Sequence, residues 1–169
     1  MIKQAIIPLA GLGTRLLPLT SVFAKELLPI NGKPGIEYIL DECIDAGIKD
    51  VIFIISQKKK LIKDYFYRDN FYKNVIKKKK DPRIAKEYKK ILKYKKMIKF
   101  VYQNQPLGTG DAVLKTKKLI KSNYFLMLLP DDLIIKNNCS KSMIKIHKQY
   151  NSSVMASMNV NRRNVSRWG

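Results

Sequence analysis

Apolar runs and segments of helical periodicity alternate along the first part of the chain. Residues 4–9 and 51–55 are short apolar runs with the length of buried strands, and the second run is β-branched or aromatic throughout. Between them, apolar residues recur at helical spacing and Gly47 follows where a helix needs a left-handed cap, which predicts a helix over about residues 35–46. Strand, helix and strand in this order predict a right-handed parallel crossover.

The same alternation resumes after residue 97. It predicts three further strands and two further helices, at residues 98–102 (strand), 108–120 (helix), 124–129 (strand), 139–150 (helix) and 153–158 (strand). This order is typical of an α/β fold with a mainly parallel sheet. The chain has 169 residues, 46% of them hydrophobic, so we expect a single domain over residues 1–169.

Residues 58–97 interrupt this pattern. Lysine pairs and triplets alternate there with single apolar residues, which predicts a helical insertion with a solvated basic face. The net charge of +21 is typical of proteins that bind nucleic acid or another polyanion, and tyrosines lie among the lysines between residues 65 and 102. Mutational bias toward AT-rich codons also produces this composition, so nucleic-acid binding is the less favoured interpretation.

Several other classes of protein are disfavoured by the sequence. No apolar run approaches the roughly 20 residues that span a bilayer, and the N-terminus lacks the order of a signal peptide, so we expect a cytoplasmic protein with no membrane segment. Cys43 and Cys139 have no Cys or His neighbours at metal-ligand spacing, and Cys43 is expected to be a buried thiol. The single histidine, His147, has no evident catalytic partner, which disfavours a hydrolytic triad.

The loop after the first strand is a candidate anion site. Gly11 and Gly13 let the backbone approach a ligand, Thr14 and the loop amides can donate hydrogen bonds to phosphate oxygens, and Arg15 can bind them with its planar fork. The spacing matches neither the dinucleotide fingerprint nor the phosphate-binding loop of NTPases. A plain turn is therefore the alternative.

Four further residues can carry chemistry. Lys25 lies between apolar residues and can offset the charge of a triphosphate, although it can also be an ordinary surface lysine. Asp131 and Asp132 follow a buried strand, at the sheet edge where open α/β folds bind ligands, and a carboxylate there can share a magnesium ion with phosphate oxygens. The alternative is a turn that ends the strand. Gln103 can donate and accept, as reading a pyrimidine edge requires, or can simply be a surface glutamine.

Two motifs together resemble the N-terminal signature of sugar-nucleotide pyrophosphorylases. They are Gly-Leu-Gly-Thr-Arg-Leu-Leu-Pro-Leu-Thr at 11–20 and Lys-Glu-Leu-Leu-Pro at 25–29. Within that superfamily, residues 25–29, the run Gln-Asn-Gln-Pro-Leu-Gly-Thr-Gly-Asp-Ala-Val-Leu at 103–114 and Leu-Pro-Asp-Asp at 129–132 are similar to bacterial UTP:glucose-1-phosphate uridylyltransferases. The resemblance covers almost the whole chain and is weakest over the insertion.

The resemblance implies a Rossmann-like nucleotidyltransferase fold and a homo-oligomer. The implied reaction forms UDP-glucose and pyrophosphate from UTP and glucose 1-phosphate with Mg²⁺. In that reaction the sugar-phosphate oxygen attacks the α-phosphorus in line, and the protein positions two anions and offsets their charge without a covalent intermediate. The residues that match the family's positions are Gly11, Gly13, Thr14 and Arg15 for phosphate, Lys25 as the active-site lysine, Leu9, Ala10 and Gly11 for backbone contacts, Gln103 and Gly108 for uracil, and Asp131 for the metal.

The chain departs from the family pattern in three places. Ala24 replaces a proline before the active-site lysine, and Asp111 stands where these enzymes usually carry histidine, which adds a negative charge near the base pocket. Gly169 matches a sugar contact where the sugar-binding half begins, and the family's later sugar-phosphate motif and second metal-binding aspartate are absent. We therefore expect a C-terminally truncated chain with impaired or no turnover and low solubility from exposed apolar surface.

Another sugar-1-phosphate nucleotidyltransferase, first of all a thymidylyltransferase, is the nearest enzymatic alternative. Glu26, the lysine-rich insertion and the wording Gln-x-x-Pro-Leu-Gly favour uridylyl transfer. Competition between UTP and dTTP distinguishes the two.

Overall fold

The structure is a computed structural model that describes residues 2–134 and 136–163. Its strands and helices follow the predicted alternating order. They are β1 (Gln4–Pro8), β2 (Pro29–Ile30), β3 (Lys33–Pro34), α1 (Gly35–Asp45), β4 (Asp50–Ile55), α2 (Lys60–Tyr67), α3 (Asp69–Lys79), α4 (Pro82–Met97), β5 (Ile98–Tyr102), α5 (Gly108–Lys115), β6 (Leu126–Met127) and α6 (Cys139–Tyr150).

A parallel sheet with strand order β5-β4-β1-β6 forms the centre of the fold. Side chains on a strand alternate between the two faces of a sheet. Phe53 and Ile55 accordingly belong to the cluster that α1, α2, α4 and α6 cover, whereas Ile52 and Ile54 pack with Ala112 of α5 on the opposite face. Residues 51–55 are fully buried, so the predicted parallel sheet with both faces covered is confirmed.

Helix α1 forms where its periodicity predicts. Its buried positions include Ile36, Leu40 and Cys43, and Gly47 ends the helix region with a φ of 80°, which a side chain would disfavour. Cys43 is buried, which confirms the expectation of a buried thiol, and burial raises the pKa of this thiol to about 12.

The insertion between β4 and β5 consists of the helices α2, α3 and α4. Its basic face is only part of the picture, because two of the three helices also bury aromatic residues in the core. Phe66 of α2 is fully buried, with its ring centroid 6.0 Å from that of Phe53 in the sheet and 6.3 Å from that of Tyr94 in α4. Helix α3 buries no residue and packs on α4.

Two carboxylates one turn apart on α1 tie the insertion to the rest of the fold. Glu37 accepts hydrogen bonds from the Tyr65 hydroxyl and, at 2.5 Å, from Lys90 Nζ. Asp41 accepts hydrogen bonds from Lys33 Nζ and from the Tyr94 hydroxyl, each at 2.5 Å. Lysine and tyrosine side chains of the insertion therefore hold it to α1 through charge-assisted hydrogen bonds.

The hydrogen bonds of Asp41 make the stability of the fold depend on pH in the acid range. Partial burial raises the pKa of Asp41, but the hydrogen bonds from Lys33 and Tyr94 more than offset this effect, so its pKa lies below the ordinary value. Ionised Asp41 therefore contributes its full stabilisation of the fold above a pH of about 4. This stabilisation is lost as the pH falls through the pKa of Asp41 in the folded state, which is lower. We expect the melting temperature, followed by circular dichroism, to fall in this range. The melting temperature of Asp41→Asn should fall less steeply with decreasing pH. An equally steep fall in the wild type and the variant would contradict this role of Asp41.

Three of the predicted boundaries are wrong. Residues 153–158 contain no strand, and Met155 is 87% exposed, because no described strand lies beyond the two-residue edge strand β6 to pair with them. Strand β6 is shorter than the predicted 124–129. Helix α5 ends at Lys115, where the Thr116 hydroxyl donates to the Val113 carbonyl and a single 3-10 turn follows.

Across residues 2–134 and 136–163, no helix combines the length and the apolar character that crossing a membrane requires.

Candidate functional site

A cleft of about 520 Å³ opens where β1, β4, β5 and β6 end. Loops that follow parallel strands meet at one edge of the sheet, which is where open α/β folds bind ligands. The cleft is lined by Pro8, Ala10, Gly11, Leu12, Lys25, Glu26, Ser56, Gln57, Lys58, Gln103, Asn104, Pro106, Gly108, Thr109, Ala112, Leu129, Pro130 and Asp131.

The glycine-rich loop leaves β1 beside this cleft. The backbone N–H of the buried Leu9 donates to the Ile54 carbonyl at 2.7 Å, which extends the sheet contact to the start of the loop. Gly13 has a φ of 69°, and a Cβ there would lie 3.1 Å from Thr20 Cγ2. The Thr20 hydroxyl also donates to the Gly13 carbonyl at 2.8 Å. The loop therefore requires glycine at position 13, where the chain turns back on itself.

Thr14 and Arg15 lie in the 3-10 turn that follows Gly13. Both residues are exposed and neither lines the cleft. The positive charge of Arg15 nevertheless acts on Asp131 and helps to lower the pKa of that carboxyl. Arg15 therefore lies close enough to contribute to the electrostatic field of the cleft.

Lys25 and Asp131 face each other across the cleft. Lys25 Nζ donates to Asp131 Oδ2 at 2.9 Å, although 106 positions separate the two residues in the sequence. Burial raises the pKa of Asp131, but the hydrogen bond and charge of Lys25 outweigh burial, so its pKa lies below the ordinary value. Asp131 is therefore an anion next to a cation at neutral pH.

A second ion pair lies directly behind Lys25. Lys59 Nζ lies 2.7 and 2.9 Å from the two carboxylate oxygens of Glu26, and the side chains are only 9% and 1% exposed. Burial lowers the pKa of Lys59 and the carboxylate of Glu26 raises it, with burial prevailing. Lys59 was not among the predicted site residues, because it lies among other lysines. Its spacing to the buried Ile62 and Phe66, however, places all three side chains on one face.

Gln103 follows β5 and is held by several hydrogen bonds. Its backbone N–H donates to the Ile55 carbonyl at 2.9 Å. Its side-chain Nε2 donates to the Gly108 carbonyl at 3.0 Å and to Asp111 Oδ2 at 2.8 Å. Gly108 has a φ of 89°, which favours glycine at this position. The side chain is 6% exposed, so Gln103 is a buried, oriented group at the cleft wall and not a surface glutamine.

The cleft has few side chains that could hold a metal ion unless a phosphate ligand is bound as well. Asp131 lines it with a side chain that is 59% exposed, and Asp132 beside it is exposed. Within the described part of the chain, no three His, Cys, Asp or Glu side chains form a group that could hold a metal. Magnesium commonly takes one or two carboxylates together with phosphate oxygens, so Asp131 fits an ion shared with a phosphate ligand.

The residues singled out from the sequence therefore fall into four groups. Leu9 lies buried beneath the cleft, Gly13, Thr14 and Arg15 form the adjoining loop, and Gly169 lies outside the described residues. The remaining residues line the cleft together: Ala10, Gly11, Lys25, Gln103, Gly108 and Asp131. His147, for which the sequence offers no evident catalytic partner, contacts the Ser152 carbonyl and the Tyr124 ring.

The chain is similar in sequence and in overall fold to known proteins. The chain is 36% identical over 169 residues to the UTP–glucose-1-phosphate uridylyltransferase of Mycoplasma pneumoniae, covering 99% of this chain and 58% of that protein. It is 34% identical to the Bacillus subtilis protein of the same description, covering 99% and 57%. The UTP-bound UGPase of Acinetobacter baumannii superposes with a TM-score of 0.81 at 35% identity, covering 90% of this chain and 54% of that one.

The chain thus spans between half and two thirds of the length of these proteins. The structural match supports the Rossmann-like nucleotidyltransferase architecture that the motifs imply, since 90% of this chain superposes on a solved relative with a TM-score of 0.81. Residues 4–169 also match the family model described as nucleotidyl transferase, which covers nearly the whole chain, and the protein is therefore a member of the nucleotidyl transferase family.

Proposed function

We propose that the cleft binds UTP and that the protein forms UDP-glucose and pyrophosphate from UTP and glucose 1-phosphate. The observation that carries this proposal is the meeting of Lys25, Asp131 and Gln103 in one cleft at the carboxyl edge of the sheet. A cation, a carboxylate and a pyrimidine-reading amide are the three groups that a magnesium-bound uridine triphosphate needs. The named relatives support the same activity.

The protein's contribution to the reaction is positioning and charge. Backbone amides of the loop at Gly11 and the guanidinium of Arg15 bind the outer phosphates, and Lys25 offsets charge at the α-phosphate while the sugar-phosphate oxygen attacks in line. Gln103 and Gly108 hold the uracil. Asp131 would hold a magnesium ion that arrives with the nucleotide, and that ion would further offset the negative charge of the phosphates.

The ion pair between Lys25 and Asp131 suggests how the site exchanges partners. In the structure the ammonium of Lys25 lies 2.9 Å from a carboxylate oxygen of Asp131. A magnesium triphosphate brings a cation for Asp131 and an anion for Lys25, so both groups exchange one charged partner for another. The pair thus keeps two charged groups of the cleft hydrogen-bonded and oriented before the nucleotide arrives.

The assembly and the sugar site belong to the same proposal. Homo-oligomerisation, a cytoplasmic location and a sugar contact at Gly169 are proposed from the family resemblance. Size-exclusion chromatography with light scattering tests the first of these: a mass of 19.6 kDa, that of one chain, would contradict it for this chain.

Calorimetry with UTP and magnesium tests the nucleotide site. We expect Lys25→Ala and Arg15→Ala each to weaken UTP binding by about tenfold or more, since hydrogen bonds to charged groups contribute about 1.5–3 kcal/mol. Lys145→Ala is the matched control, because Lys145 is exposed on α6 and lies outside the cleft lining, and its affinity should equal that of the wild type.

Three outcomes separate the alternatives. No UTP binding by a folded chain would contradict the proposed function. If dTTP displaced bound UTP at a lower concentration than unlabelled UTP does, the result would favour a thymidylyltransferase. RNA binding that survives Lys25→Ala and Asp131→Ala and weakens steeply with salt would favour the nucleic-acid interpretation.

A further inference from the structure

We propose that Asp111 determines which base the cleft accepts, by holding the Gln103 amide so that only its oxygen is available to the base. From the sequence, Asp111 is expected only to add a negative charge near the base pocket; in the structure it also binds the Gln103 side chain. This inference rests on the proposed binding of UTP, and it adds a residue that selects uracil over cytosine.

The orientation of the Gln103 amide follows from the chemistry of its partners. Nε2 lies 3.0 Å from the Gly108 carbonyl oxygen and 2.8 Å from Asp111 Oδ2. Both partners can only accept hydrogen bonds, because one is a carbonyl and the other an ionised carboxylate. A flipped amide would place its oxygen against two other oxygens. The two Nε2 hydrogens therefore point at Gly108 and Asp111.

The other end of the amide is left for a ligand. Gln103 Oε1 accepts no hydrogen bond from residues 2–134 and 136–163. It is not among the fully buried side-chain atoms that lack a partner, so this oxygen is open to solvent. The residue lines the cleft, so the oxygen is accessible from there. With both amide hydrogens in use, the group that Gln103 offers to a base is an acceptor.

Asp111 is itself held in place. It lies in the first turn of α5, and Lys115 Nζ, one turn later, is 3.6 Å from Asp111 Oδ1. The other oxygen, Oδ2, binds Gln103, whose backbone is fixed to β4 through the Ile55 carbonyl. The carboxylate is therefore bound on one side by a lysine and on the other by the amide that it orients.

An acceptor at this position distinguishes the pyrimidines. Uracil has a hydrogen on N3 and can donate it to Oε1, whereas N3 of cytosine carries a lone pair that would face the oxygen. An unrestrained glutamine could rotate its amide and donate to cytosine instead. Thymine has the same N3–H as uracil, so this contact separates UTP from CTP and not UTP from dTTP.

The test measures the ratio of the CTP and UTP dissociation constants, with magnesium, for the wild type and two variants. We expect Asp111→Ala to reduce the preference for UTP by about tenfold, because one amide hydrogen loses its charged partner. Asp111→Asn retains an acceptor oxygen and should keep a ratio close to that of the wild type. The ratio cancels any general effect of charge near the triphosphate, because that effect acts equally on both nucleotides.

Each outcome decides the assignment. An unchanged ratio in a folded Asp111→Ala that still binds UTP would contradict the role of Asp111 and leave the proposed function intact. An equal loss of preference in both variants would show that charge and not amide orientation selects the base. A folded wild-type chain that binds neither nucleotide would contradict the proposed function itself, and with it this inference.

Discussion

Replacing Glu26 with alanine should lower the free energy of unfolding by about 3 kcal/mol, the lower end of the range for breaking a buried ion pair. The substitution leaves the ammonium of Lys59, whose side chain is 9% exposed, without its only carboxylate partner among the described residues. We expect the lower end because Glu26 also lines the cleft, which gives solvent a path to the pair. Urea denaturation followed by circular dichroism measures the loss.

Two variants separate the charge from the shape of the side chain. Glu26→Gln retains the size and one acceptor oxygen, so it should lose less stability than Glu26→Ala. Combining Glu26→Leu with Lys59→Met removes both charges and should recover most of the loss, because no unpaired ion remains buried. If the double variant were no more stable than Glu26→Ala, the cost would come from packing and not from the unpaired lysine.

The second large effect is expected at Phe66 in the insertion. Phe66→Ala should cost about 3–5 kcal/mol, since the substitution leaves a cavity between Phe53 of the sheet and Tyr94 of α4. Phe71→Ala is the matched control: Phe71 is 62% exposed on α3, and its loss should change stability by no more than about 0.5 kcal/mol. The same urea denaturation measures both variants.

This comparison decides how the insertion relates to the rest of the chain. A large loss at Phe66 with little at Phe71 is expected if α2 and α4 complete the core over β4. Equally small losses at both positions would show that the insertion folds over the sheet without stabilising it, contrary to the complete burial of Phe66.

The regular elements were predictable because their burial pattern is local. Residues 51–55 read as a strand covered on both faces since no polar side chain interrupts them, and the structure covers them with α1 on one side and α5 on the other. Residues 153–158 show the limit of the same reasoning. Their short apolar stretch is compatible with a strand. A strand also needs a neighbouring strand to pair with, which the residues themselves do not specify.

The lysine-rich insertion shows a second limit. A run of lysines predicts a solvated basic face, because charged residues usually remain in water. Lys59 and Lys90 instead bind Glu26 and Glu37, which lie 33 and 53 positions earlier in the sequence. Spacing to buried neighbours could have marked Lys59 as inward-facing, yet no local feature names its partner.

The sequence by itself determined the order of strands and helices, the family motifs and the residues around which the cleft is built. The tertiary structure alone decided which side chains pair with each other: Lys25 with Asp131, Glu26 with Lys59, and Gln103 with Asp111. The physical reason is that periodicity along a chain records which side of an element is buried. Charged and polar side chains find their partners only when segments far apart in sequence pack together.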